Sequence, residues 1–169
     1  EILYYIAPSD KLDFIGNGVV DKITIILALQ NIERLNETLI ECGRVLKSGG
    51  HLYIVLNHPA FRVPKASGLG WDAENKMQYR RIDSYMSEAK VKIQMHPGDR
   101  SDEFTISFHR SLQIYFKGLR NAGFAVESLE EWISHKKSGP GPRAGAEDKS
   151  RKEIPLFLLL QAVKRVVGG

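Results

Sequence analysis

An α/β domain built on a parallel sheet is what this sequence predicts, and three observations carry the prediction. The seven residues Ile23 to Leu29 are all apolar or β-branched, without alternation, as in a strand covered on both faces. Glu33 to Leu46 then changes period, with Leu35, Leu39, Cys42 and Leu46 forming one stripe of an amphipathic helix. After Ser48-Gly49-Gly50 a second apolar run, Leu52 to Leu56, completes the parts of a parallel strand–helix–strand crossover.

Each element follows from local chemistry. Ile2 to Ala7 is β-branched and aromatic, which predicts a short strand broken by Pro8-Ser9-Asp10. Phe14 to Gly18 is a turn, and Val20 to Leu29 contains the first long strand. The helix from Glu33 to Leu46 carries Lys47 at its end and is stopped by Gly49 and Gly50, glycine being free to take the left-handed cap. Lys90 to Met95 and Phe104 to Phe108 alternate, predicting a hairpin around His96-Pro97-Gly98-Asp99. Ser111 is placed to cap a helix over Leu112 to Ala122, which Gly123 ends. Phe124 to Leu129 and Ile154 to Val163 read as strands, antiparallel neighbours because the Gly/Pro-rich, basic stretch His135 to Glu153 between them shows no apolar period and reads as a loop. The organisation predicted is a core over residues 1–56, an insertion over 57–108 and the rest of the core over 109–169.

Composition narrows the function classes. At 169 residues, 43% hydrophobic and 26% charged, the chain has globular composition, not that of a disordered segment. No apolar run has the length of a membrane span, which leaves no membrane role to expect. The one cysteine, Cys42, forms no internal disulfide, and no zinc-ligand spacing occurs, so a reducing, cytoplasmic setting and no metal are expected. A net charge of +4 does not demand a nucleic-acid partner. Glu1 opens directly onto an apolar stretch, which reads as the interior of a fold and predicts a truncated chain.

Three strings in order, Val20-Asp21-Lys22-Ile23, Leu27-Ala28-Leu29-Gln30-Asn31-Ile32 and Arg44-Val45-Leu46-Lys47-Ser48-Gly49-Gly50-His51-Leu52, resemble the second half of the class I S-adenosylmethionine-dependent methyltransferases. Ser48 stands where that family usually has proline, and Gly123-Phe124 resembles its helix-to-strand link. Asn57-His58-Pro59-Ala60-Phe61-Arg62, Tyr79-Arg80-Arg81-Ile82-Asp83 and Ser138-Gly139-Pro140-Gly141-Pro142-Arg143 resemble a bacterial branch of these enzymes, without pointing to an acceptor. The resemblance implies a Rossmann-like sheet, truncated at its N-terminus, mostly parallel with an antiparallel terminal pair, and carrying an inserted lid with a β-hairpin. It makes Ile2 to Ala7 the third strand. It implies S-adenosylmethionine as cofactor, although the family's glycine-rich loop has no counterpart in the chain, so weak cofactor binding by this chain alone is expected.

The same resemblance distributes the site. Asp10 aligns near the family's adenine contact, while Leu29, Gln30 and Asn31, after a parallel strand, face the cofactor. His58 is the candidate base, because an imidazole titrates near neutrality. Asn57, Arg62, Trp71, Tyr79, Arg80, His109 and Arg110 are the candidate substrate contacts, Arg110 and His109 through an anionic group. The leading expectation is methyl transfer to a small molecule. The basic stretch His135 to Glu153 raises RNA or protein as the alternative acceptor. A non-catalytic fragment that forms a homodimer through an open sheet edge is the reading from another class.

Overall fold

A computed structural model describes residues 2–94 and 103–166. The turn expected at His96 to Asp99 lies outside the described residues. A four-stranded sheet in the order β1-β2-β8-β7 forms the centre. It comprises β1 (Val20–Ile26), β2 (Leu46–Asn57), β7 (Phe124–Trp132) and β8 (Phe157–Lys164). Between β2 and β7 the chain forms two separate hairpins, β3 (Ser67–Asp72) with β4 (Met77–Ile82), and β5 (Ala89–Gln94) with β6 (Phe104–His109). The helices are α1 (Leu35–Val45), α2 (Leu112–Asn121) and α3 (Ala144–Glu153). None is long and apolar enough to cross a membrane.

The crossover is present: β1 pairs parallel with β2, Ile23 beside Leu52 and Ile25 beside Ile54. β2 and β7 both pair antiparallel with β8. The sheet is therefore mixed, with one parallel and two antiparallel pairings, and β8 alone runs against the other three. "Mostly parallel" holds for strand direction and fails for pairing, because β8 sits between β2 and β7.

One face of the sheet holds the core. Leu52, Ile54 and Leu56 of β2 and Leu158, Leu160 and Ala162 of β8 are buried with Leu35, Leu39 and Cys42 of α1 and Tyr115 and Leu119 of α2. Burying such side chains stabilises by about 1.5–3 kcal/mol each before chain entropy is counted. Close approach depends on Gly43, where an added Cβ would stand 2.9 Å from the Ala122 carbonyl oxygen.

Several sequence expectations are corrected. Ile2 to Ala7 forms no strand; no described strand pairs with it, and its large apolar side chains are 62% to 108% exposed. β1 is not covered on both faces, for it lies at the sheet edge and alternates in burial. Ser48-Gly49-Gly50 does not cap α1. The helix ends where Leu46 turns extended, and residues 47–50 bulge out of β2 between the pairs Val20–Leu46 and Lys22–His51. Glycine is required there: Gly49 has φ +75°, and a Cβ on Gly50 would stand 3.0 Å from the Asp21 carbonyl oxygen. His135 to Glu153 is not all loop, since it contains α3, whose polar sequence gives no apolar period. Arg151 pairs with Asp148 at 3.2 Å and Glu147 at 3.8 Å, and the Ser138 amide donates to Asp148.

Arg44 ties the segment before β1 to α1. Its guanidinium donates to the carbonyls of Leu12 and Ile15, to Asn17 and to Glu41, and the Leu12 amide donates to the same carboxylate. The hydrogen bond from Arg44 holds the Glu41 carboxyl down to about 2. A carboxyl depressed in the folded state stabilises fully above its unfolded value near 4.5 and progressively less as the pH falls toward 2. Acid titration of stability, followed by circular dichroism, should therefore show a decline in that window that Glu41→Gln flattens. An identical decline in both proteins would refute the assignment.

Candidate functional site

At the carboxyl ends of β1 and β2 the chain turns sharply. Leu27 leaves β1 with φ +52°, a left-handed conformation costing a non-glycine residue roughly 1–2 kcal/mol. It is held by its amide, which donates to the Val55 carbonyl, and by its own carbonyl, which accepts from Gln30 Nε2 at 2.7 Å. A single 3₁₀ turn, Leu29–Asn31, follows. The strain therefore fixes Gln30, and strain so located is a mark of functional sites. On β2 the strand ends at Asn57, whose Oδ1 accepts from Arg62 Nη1 at 2.6 Å. The β5–β6 hairpin reaches back to the same place, Asn31 Nδ2 donating to Thr105 Oγ1 at 2.9 Å.

These elements enclose a narrow crevice of about 30 Å³, a volume on the scale of a water molecule. Gln30, Asn57, Pro59, Arg62, Pro64, Ser107, Phe108, His109, Arg110 and Tyr115 line it. Two of its walls carry unsatisfied buried atoms. Gln30 Oε1 and Arg110 Nη1 are both buried without a hydrogen-bond partner. Arg110 is anchored through Nη2, which donates to the Glu33 carbonyl at 2.6 Å, its Nε lies 3.9 Å from the Glu88 carboxylate, and its Nη1 has no hydrogen-bond partner. An unpaired buried polar atom costs about 1–3 kcal/mol, and here one acceptor and one donor are left unpaired on residues that line a common crevice.

The histidines divide differently from expectation. His58 is buried and does not line the crevice. Its Nδ1 accepts from the Ala60 and Phe61 amides, and its Nε2 donates to Glu131 at 2.8 Å. Both nitrogens are committed to the turn after β2, which leaves no lone pair for a substrate proton. His109 does line the crevice, and its Nε2 donates to the Tyr85 carbonyl at 2.8 Å.

The structure brings together five expected residues, Gln30, Asn57, Arg62, His109 and Arg110. It separates the others from the crevice. Asp10 pairs with Arg34 at 2.6 Å, Leu29 is fully buried core, and Asn31 is tied to the β5–β6 hairpin. Trp71 lies under the Arg143 guanidinium at 4.7 Å, and Tyr79 covers Gly70 across the β3–β4 hairpin. Arg80 lines two larger cavities beside the crevice. Sequence reasoning missed Ser107, although the apolar alternation Phe104, Ile106, Phe108 already puts Ser107 and His109 on the opposite face. It also took Tyr115 as core only; burial pushes its phenol up, and it borders Arg110. Ser111 occupies the cap position of α2 but its hydroxyl caps nothing; Tyr85 Oη accepts from the Leu112 amide instead.

The fold has known relatives. No protein-family model and no curated protein matches the chain. Its structure matches that of an S-adenosylmethionine-dependent methyltransferase from Mesorhizobium loti, TM-score 0.71, at 26% identity over 93% of this chain and 67% of that one. A candidate S-adenosylmethionine-dependent methyltransferase from Listeria monocytogenes matches with TM-score 0.70 at 23% identity, over 95% of this chain and 68% of that one. A Haloferax volcanii protein solved in complex with the methyltransferase activator Trm112 matches with TM-score 0.61 at 16% identity, over 98% and 62%. The chain thus has the class I methyltransferase fold over most of its length.

Proposed function

We propose that the chain carries the acceptor side of an S-adenosylmethionine-dependent methyl-transfer site and that the acceptor is a small molecule. The observation that carries this is the pair of unpartnered atoms, Gln30 Oε1 and Arg110 Nη1, in a crevice at the carboxyl ends of two parallel strands. A crevice this narrow would take a charged end group of the bound molecule, an ammonium at an acceptor such as Gln30 or a carboxylate at a guanidinium such as Arg110. When bound, the cofactor supplies an electrophilic methyl group on a sulfonium.

The chain's residues do the rest. Asn57 and Arg62, hydrogen-bonded to each other, form the facing wall and position the acceptor. Where the acceptor must lose a proton, His109 is the base, its ring oriented by the Nε2 hydrogen bond to the Tyr85 carbonyl. His58 acts as a positioning residue that fixes the turn carrying Asn57 and Arg62. Ser107, Phe108 and His109 of β6 line the crevice and act as part of a lid over it.

Calorimetric titration of the full-length protein with S-adenosylhomocysteine tests the reading. Saturable binding in the micromolar range, competed by S-adenosylmethionine, is expected. Binding of a nicotinamide dinucleotide in its place would sink it.

A further inference from the structure

Beside the crevice lies a second cavity of about 260 Å³, and its walls are cationic. Arg62, Arg80, Lys136 and Arg151 line it, with no carboxylate among its wall residues. The charge of Arg151 is already answered by Asp148 and Glu147. Arg62 and Arg80 have no such answer. Arg62 spends Nη1 on the neutral Asn57 amide oxygen and lies 5.4 Å from the centre of the Phe157 ring. Arg80 spends Nη1 on the Phe61 carbonyl, and its Nε is buried with no partner. Burial draws both guanidinium groups below their usual range, and Arg80 lowers Arg62 further. Arginine nevertheless stays charged. Two like charges held half-buried without a counterion are costly unless an anion joins them.

We propose that Arg62 and Arg80 seat an oxyanion, a carboxylate or a phosphate, carried by the methyl acceptor. This rests on the methyl-transfer reading of the crevice, for Arg62 is a wall of both spaces and would hold the anionic group one residue away from the reacting centre. The rest of the acceptor has room too. The cavity shares Gln78, Arg80, Ser150 and Ile154 with a larger one of about 520 Å³ between β4 and α3. A structural role for Arg80, clamping the Phe61 carbonyl, uses only Nη1 and leaves the buried Nε unexplained.

The test follows the arginine Nε–H resonances of the full-length protein by nitrogen-15 NMR at low ionic strength. Sodium phosphate and sodium succinate are titrated separately, with sodium chloride as the ionic-strength control. A saturable shift of the Arg80 Nε–H signal with phosphate or succinate, absent with chloride, is expected. The signal is assigned by its loss in Arg80→Gln, and Arg62→Gln should weaken the same anion about tenfold or more. Preference for phosphate marks a phosphorylated acceptor and preference for succinate a carboxylate. A non-saturating response equal to that of chloride overturns the proposal on the wild-type protein alone, whatever the variants do, as does unchanged affinity in a folded Arg62→Gln. S-adenosylhomocysteine titrated into the same sample separates the two readings. Anion binding without cofactor binding removes the methyl-transfer assignment and keeps the oxyanion seat, whereas cofactor binding without anion binding removes the seat alone.

Discussion

Arg110→Gln should lower the affinity of the full-length protein for S-adenosylhomocysteine by about ten- to a hundredfold, the cost of a lost charged hydrogen bond. Arg110 is nearly fully buried, anchored to the Glu33 carbonyl, lines the crevice and has an unpartnered Nη1. Glutamine is too short to span both tasks and carries no charge. The variant also leaves the Glu33 carbonyl without its donor, a stability loss of about 1–3 kcal/mol. Calorimetry well below the melting temperature separates the two effects. Arg110→Lys, which keeps the charge but not the planar fork, should fall between wild type and Arg110→Gln. Affinity within twofold of wild type in a folded Arg110→Gln would remove Arg110 from the site.

The largest effect on stability is expected at Phe124. Its side chain is 1% exposed at the start of β7, and its ring fills the space beside Gly43 of α1. Truncation to alanine leaves a cavity where strand, α1 and α2 meet, since Gly43 cannot fill it and Leu119 is already fully buried. The cost is about 3–5 kcal/mol, set against total stabilities of about 5–15 kcal/mol for natural domains. The melting temperature should fall by roughly 6–20 °C. Urea unfolding should show a lower midpoint and an unchanged slope, because the surface exposed on unfolding barely differs. A loss below about 1 kcal/mol would mean that the surrounding side chains collapse into the gap.

What could be read in advance was whatever short-range pattern decides. The stripe Leu35, Leu39, Cys42 and the apolar run of β8 need no knowledge of their neighbours, and both elements form, although Leu46 belongs to β2 and Ile154 to Leu156 lie outside β8. Ile2 to Ala7 has equal strand character but no described partner, and a strand exists only with a partner for its amides. α3 lacks an apolar stripe because side-chain pairs and the amide of a distant serine support it. The crevice was legible in outline, because strand ends place Gln30 and Asn57 beside each other in any parallel crossover. Which histidine faces it was not. That depends on Glu131, which is 73 positions away in sequence and ties up His58. The cationic lining of the neighbouring cavity was equally hidden, because it depends on which residues gather around Arg62 and Arg80, and no carboxylate is among those that line it.

The placement of β8 between β2 and β7 has a consequence for biosynthesis. Of the eight described strands it comes last in sequence, yet it joins the two halves of the sheet. Before Phe157–Lys164 is available, β2 is open on the side that β8 will take and β7 has none of its ladder hydrogen bonds made. Such rims invite pairing with other polypeptides, so chaperone engagement should peak at that stage and fall once β8 has paired with both β2 and β7.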